Sequence, residues 1–166
     1  MARIGGPSSK PTFRATRSRS GHPCGTRTYS LDSDTCTKLL KKHPGNRSVV
    51  DRFREEIRQN SLFVICPIVF YEIRRELVFK AAAAQLAAFE KLVESMTWKE
   101  FNAPVWDRAC NLWSTLRARG RSHQDADVLI AAHALQCGAV IVTGNVDHFQ
   151  DTGVQLENWC EPASAQ

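Results

Sequence analysis

Nowhere does this chain carry an apolar run near the ~20 residues needed to span a bilayer. The longest, Leu62 to Tyr71, reads as a buried strand and a turn. No membrane association is expected. C-x-x-C pairs are also missing. The six cysteines, at 24, 36, 66, 110, 137 and 160, stand too far apart for a zinc site, and several lie in apolar stretches. Buried free thiols in a reducing cytosol are the expectation. The basic N-terminus is followed by no apolar core of a secretory signal, which points the same way, to a cytoplasmic protein. There is no internal repeat, and no Ser-His-Asp or Cys-His order with supporting motifs. One stretch lacks charge of one sign: residues 1–28 hold six bases and no acid. Taking those six from 22 basic residues leaves 16 against 17 acids, so the net charge of +5 lies in the N-terminus and the remainder is almost neutral.

What is present fits one soluble domain of 166 residues, 43% apolar and 23% charged. Residues 1–27, rich in Gly, Pro, Ser and Arg, are expected to form a disordered basic extension, with at most weak attraction to nucleic acid. The folded unit is expected over 28–160, with a short C-terminal tail at 161–166. A strand at 29–31 leads to a helix near 35–42, which the Pro44-Gly45-Asn46 loop stops. A helix at 48–59 carries Val49, Val50, Phe53 and Ile57 on one face. Leu62 to Cys66 is short and uniformly apolar, as in a buried parallel strand. Helices follow at 69–79, at 81–95 and from Pro104 to Gly120, then at 125–137, closed by Gly138. Strands are expected at 139–143 and, at an edge, at 154–156. Alternating strands and helices predict an α/β fold with a mostly parallel sheet between helical layers. The tryptophans at 98, 106, 113 and 159 are expected in the core, and His133 is expected to pack or hydrogen-bond.

Four polar residues stand where hydrophobic segments end. Asp32 follows Tyr29-Ser30-Leu31, Glu72 follows the run from Leu62 to Phe70, Asp127 opens Val128-Leu129-Ile130-Ala131-Ala132, and Asn145 follows Ala139-Val140-Ile141-Val142-Thr143. In open parallel sheets, groups at strand ends converge in one crevice. Anions gathered there repel one another unless protonated or bridged by a cation. A hard divalent ion is the expected bridge, and such an ion suits phosphate chemistry.

At these positions the chain resembles the PIN-domain family, and within it the VapC-like ribonucleases of bacterial toxin–antitoxin pairs. Tyr29-Ser30-Leu31-Asp32-Ser33-Asp34-Thr35 looks like the opening strand and first acid. Phe70-Tyr71-Glu72-Ile73-Arg74-Arg75 looks like the second motif. Asp127-Val128-Leu129-Ile130-Ala131-Ala132-His133-Ala134 is similar to the third, and Val142-Thr143-Gly144-Asn145-Val146-Asp147-His148-Phe149 to the fourth. Together they span about residues 28–160. The resemblance implies a PIN-like three-layer α/β/α sandwich and a metal-dependent endoribonuclease using Mg²⁺ or Mn²⁺. It also implies an RNA substrate, a partner antitoxin and often a homodimer.

On that reading Asp32 and Asp127 hold the metal, and Glu72 positions or deprotonates the attacking water. Asn145 stands where the family often has Asp, so Asp147 is a candidate to supply the missing charge. Asp34 and Thr143 orient neighbouring groups by hydrogen bonds, and Gly144 takes a place where many relatives carry a basic residue. Arg117, Arg119 and Arg121, with His123, stand just ahead of Asp127 and are candidates to hold an RNA backbone. Asp32 has a competing role as a helix cap. Hydrolysis is expected to leave 5′-phosphate and 3′-hydroxyl ends. Three other readings remain open. Asp32-Ser33-Asp34-Thr35 also matches the D-x-D-x-T opening of haloacid-dehalogenase-type phosphatases. The neutral Asn145 allows a non-catalytic RNA-binding PIN module. The third keeps the nuclease and replaces the toxin role with housekeeping RNA processing.

Overall fold

The structure, a computed structural model, describes residues 26–41 and 43–160. The expected disordered extension lies outside them as far as residue 25, as does the tail at 161–166. Thr26 and Arg27 belong with the fold. The Arg27 carbonyl accepts from the Leu62 amide at 2.8 Å, and its guanidinium pairs with Glu157 at 3.1 Å.

Successive residues of a strand point to opposite faces of a sheet. In β1, Thr28–Leu31, the consecutive residues Tyr29, Ser30 and Leu31 are all 0% exposed, so both faces are covered. That is the condition under which parallel strands form. β2 is Leu62–Ile65, β3 is Thr97–Trp98, β4 is Val140–Val142 and β5 is Leu156–Glu157. Their order across the sheet is β3-β2-β1-β4-β5, and every pairing is parallel. Six α-helices connect them: α1 Ser33–Leu40, α2 Arg47–Arg58, α3 Pro67–Phe79, α4 Ala83–Glu94, α5 Ala103–Ala118 and α6 Asp125–Cys137. The result is the expected three-layer sandwich. Phe89 and Val93 of α4, and Ile130, Ala131 and Ala134 of α6, pack on Tyr29, Leu31, Ile65 and Ile141 of the sheet. A smaller cluster of Val105, Ala109, Leu116, Val128 and Ala132 joins α5 to α6.

Helix boundaries follow local chemistry. α6 has the predicted limits, with Asp125 and Asp127 in its first turn, where carboxylates suit the helix dipole, and Gly138 left-handed at φ 60° at its end. α1 begins two residues earlier than predicted because Asp32 accepts from the Ser33 amide and starts the helix there. α3 begins at Pro67, whose missing N–H costs nothing in the first turn, and β2 correspondingly stops at Ile65. The last strand is displaced to Leu156–Glu157, and β3 at the opposite edge was not predicted.

Two expectations about burial fail in part. Trp159 is buried, but Trp106 and Trp113 on α5 are 48% and 47% exposed. Cys36 and Cys66 are buried free thiols, and burial pushes the Cys66 thiol up to about 12, whereas Cys110 is exposed. His133 does pack: its Nε2 meets the Lys99 carbonyl at 3.0 Å and its ring stacks on Phe101.

Candidate active site

Strand order reverses direction at β1: β2 and β3 lie to one side, β4 and β5 to the other. Crevices open at the carboxyl ends of strands at such a switch point. Asp32 follows β1 and Thr143 follows β4, and the Asp32 amide extends the ladder by donating to the Val142 carbonyl at 3.0 Å. The Thr35 hydroxyl donates to the same carbonyl at 2.8 Å and fixes the start of α1 against β4.

Every oxygen of the Asp32 carboxylate is engaged. Oδ1 accepts from the Ser33 amide at 2.6 Å and lies 3.1 Å from the Ser33 hydroxyl. Oδ2 accepts from the Thr143 hydroxyl at 2.9 Å. Asp32 therefore caps α1 and faces the crevice at once. The Ser33 hydroxyl also lies 3.0 Å from Glu72 Oε2. A hydroxyl has one proton, so it donates to one carboxylate at a time and keeps both acids beside a single point. Sequence reasoning gave Ser33 no part. Its signal is position alone, between an acid at a strand end and the first turn of a helix.

Asp127 comes from the first turn of α6, with a side chain 15% exposed. Burial pushes its carboxyl above the ordinary range. The charges of Asp32 and Glu72 push the same way, while His148 and His123 pull it back. Asp127 thus lies within electrostatic reach of Asp32 and Glu72. His148 Nδ1 stands 3.5 Å from Asp127 Oδ2, a contact that nothing in the sequence marks. The short 3₁₀ turn Val146–Phe149 turns its ring back over α6.

The other candidates separate. Thr143 bonds Asp32 directly, and its hydroxyl oxygen accepts from the Asn145 amide at 2.9 Å. Asn145 itself is exposed. Asp147 is exposed, accepts from Gln150 at 2.8 Å, and lines with Asp127, His123 and His148 a cavity of about 380 Å³. Asp34 lines a cavity together with Ser33 and Glu72, and its Oδ2 lies 2.6 Å from Lys38 Nζ, which reaches Cys160 Sγ at 3.0 Å. Gly144 packs against this trio. A Cβ there would lie 2.7 Å from Asp34 Oδ2 and 2.9 Å from Lys38 Nζ, so any side chain at this position would displace the tips of that pair. Of the arginines, Arg117 lies over the Trp113 ring at 5.8 Å, Arg121 pairs with Asp151 at 2.9 Å, and Arg119 caps α5.

No group of three or more His, Cys, Asp or Glu side chains among the described residues is spaced to hold a metal as it stands. The donor set is nevertheless one of carboxylate oxygens, two of them bridged by one hydroxyl and the third partly desolvated beside their charge. That set fits a small hard cation, which takes one or two protein carboxylates and retains water.

Comparison with known proteins decides the family. A family model described as the PIN domain matches residues 29–154. The chain belongs to the PIN-domain family. The PIN match covers all four motifs and sets the dehalogenase-type reading aside. Among characterised PIN relatives, Ribonuclease VapC1 of Haemophilus influenzae is 28% identical over 133 residues, which cover 79% of this chain and 97% of the relative. The tRNA(fMet)-specific endonuclease VapC of Shigella flexneri is 26% identical over 137 residues, again 79% of this chain and 97% of the relative. The PIN fold also matches the structure of VapBC2 from Rickettsia felis bound to a promoter DNA fragment. There the TM-score is 0.71 at 25% identity, over 80% of this chain and 98% of the other. A DNA-bound VapBC from Salmonella typhimurium gives a TM-score of 0.70 at 23% identity, over 81% and 99%.

Proposed function

We propose that this PIN-domain chain is a metal-dependent endoribonuclease and the toxin of a toxin–antitoxin pair. The observation that carries the proposal is the Asp32–Ser33–Glu72 connection at the switch point, with the Asp127 carboxyl raised beside it. A phosphodiester is the substrate class such a pocket serves once a cation has neutralised it. The names of the similar proteins, ribonuclease and tRNA(fMet)-specific endonuclease, support RNA as the substrate class. The VapBC complexes among the similar structures support an antitoxin partner. The proposed nuclease unit is residues 28–160, acting in the cytosol and assembling as a homodimer.

Asp32 and Asp127 are the proposed ligands of Mg²⁺ or Mn²⁺. When bound, the ion offsets charge on the phosphate oxygens and eases loss of a proton from water. Glu72 orients the attacking water and takes its proton, and Ser33 keeps Glu72 turned toward Asp32. Thr143 fixes the Asp32 carboxylate plane. Asn145, on the same loop, offers a neutral, exposed amide where the family often has Asp, and Asp147 adds negative charge to the cavity it lines with Asp127.

The test is cleavage of an RNA pool by the full chain with Mg²⁺ or Mn²⁺, set against EDTA and Asp32→Asn. Either treatment should abolish cleavage. Both metals should also raise the melting temperature of the wild type and not that of Asp32→Asn. Metal-free cleavage by Asp127→Asn would refute the mechanism.

A further inference from the structure

Trp106, Cys110, Trp113 and Arg117 recur on α5 at steps of 4, 3 and 4 and all four are exposed. Such spacing places them on one face of the helix. Large aromatics at nearly half exposure are unusual on a soluble surface and mark contact surfaces when they cluster. The Trp106 ring leans on Phe101 at 5.1 Å, and the Arg117 guanidinium covers Trp113, so both rings are held in place before any partner arrives.

This stripe leads to the acids. A small hollow is lined by Trp113, Arg117, Arg121, Ser122 and His123. The larger cavity of about 380 Å³ shares Arg121, Ser122 and His123 with it and ends on Asp127. From Arg108 to Gln124 the chain has four arginines and no acid. Rings that stack bases, arginines that track phosphates and a continuous path into a pocket built for phosphate chemistry are the components of a single-strand nucleic-acid track. Trp and Arg also serve protein–protein contacts; what favours a nucleic acid as the occupant is the run of arginines without an acid and its continuity with the hollow that reaches Asp127.

From this we infer that the α5 stripe is a base-stacking platform for single-stranded RNA, with Trp113 and Arg117 delivering the strand past Arg121 and His123 to the acids. The inference rests on the nuclease reading for its substrate class and extends it to the path the strand takes. It assigns to Trp113 a role in affinity and none in the chemical step.

Two measurements on the full chain test it. In an Asp32→Asn background, a fluorescein-labelled single-stranded RNA should quench tryptophan emission on binding. There Trp113→Ala or Arg117→Ala should raise Kd about ten-fold, the effect of losing one stacked base. Trp113→Phe should recover most of the loss. In the otherwise wild-type chain, Trp113→Ala should raise KM and leave kcat unchanged. A duplex RNA should bind no more weakly to Trp113→Ala than to its parent. Unchanged Kd and KM in Trp113→Ala would overturn the platform, as would a change in sedimentation mass without a change in Kd, which would make this face a contact between copies. Failure of the nuclease reading looks different: wild-type protein would bind RNA through Trp113 and not cleave it in Mn²⁺.

Discussion

Thr143→Val separates the chemical part of the site from its packing. Thr143 is 0% exposed, and its hydroxyl is the partner of Asp32 Oδ2 at 2.9 Å. Valine has nearly the same shape, so no cavity opens. The loss is a hydrogen bond to a charged acceptor, worth about 1.5–3 kcal/mol. Asp32 is only 7% exposed, so water cannot readily replace that donor. The Asn145 amide loses its acceptor too, but it belongs to an exposed residue and can turn to solvent. At about 2 kcal/mol the melting temperature should fall by roughly 4–8 °C for a chain of this size. Asp32 would keep only the two Ser33 contacts on Oδ1, and its outer oxygen would swing. Loss of such a supporting partner typically costs about 10–100-fold in activity or metal affinity. Thr143→Ser is the control. It keeps the hydroxyl, loses one methyl worth about 0.8 kcal/mol, and should retain activity. The assay pairs calorimetric melting with RNA cleavage in Mn²⁺. The reasoning is refuted if the serine variant is the less active of the two, or if the valine variant cleaves like wild type.

Asp127→Asn should abolish cleavage yet raise stability at neutral pH. Burial and the charges of Asp32 and Glu72 raise the folded-state pKa of Asp127 above its unfolded value, which disfavours the charged form in the fold. That destabilisation is present above the folded pKa and is relieved as pH falls through it, so urea midpoints of variant and wild type should converge on acidification. Gly144→Ala should cost little stability, because the atoms its Cβ would meet, Asp34 Oδ2 at 2.7 Å and Lys38 Nζ at 2.9 Å, are the ends of flexible, part-exposed side chains that can give; a large fall in melting temperature would contradict this. Phe89→Ala should cost about 3–5 kcal/mol by urea titration, since Phe89 is 0% exposed and stacks on Phe70 at 5.7 Å.

The fold was largely legible because its elements announce themselves by different periods. α2 alternates buried Val49 with exposed Asp51 and Arg54, and α6 has acids at one end and Gly138 at the other, so both were placed within a residue. β2 was legible as an unbroken apolar run between Ser61 and Pro67. β3 was not: two residues are too few to show a period, and Thr97–Trp98 is a strand only because β2 offers Val64 and Ile65 as partners. The exposed tryptophans were misread for a related reason. Apolar spacing along α5 shows two stripes, and only packing reveals that Val105, Ala109 and Leu116 take the α6 side while Trp106 and Trp113 remain outside.

The acids themselves could be read from where hydrophobic runs stop, because a parallel sheet fixes which ends of its strands meet. Their connections could not be read. Ser33, beside Asp32, reaches Glu72 across 39 positions of sequence, Thr143 reaches Asp32 across 111, and His148 meets Asp127 only because a 3₁₀ turn folds back over α6. These contacts govern what the pocket can bind. A carboxylate held by the Ser33 amide and the Thr143 hydroxyl, with the Ser33 hydroxyl shared with Glu72, is not free to reorient around a bare ion. It presents a fixed edge to one that keeps part of its water shell, which is the habit of Mg²⁺. Asp127 stands apart from those donors, raised by burial and by its neighbours' charge, and gains most when a cation arrives. In the proposed mechanism the same charge that weakens the fold favours a cation at this pocket, and a variant that relieves the strain at Asp127 should lose metal binding with it.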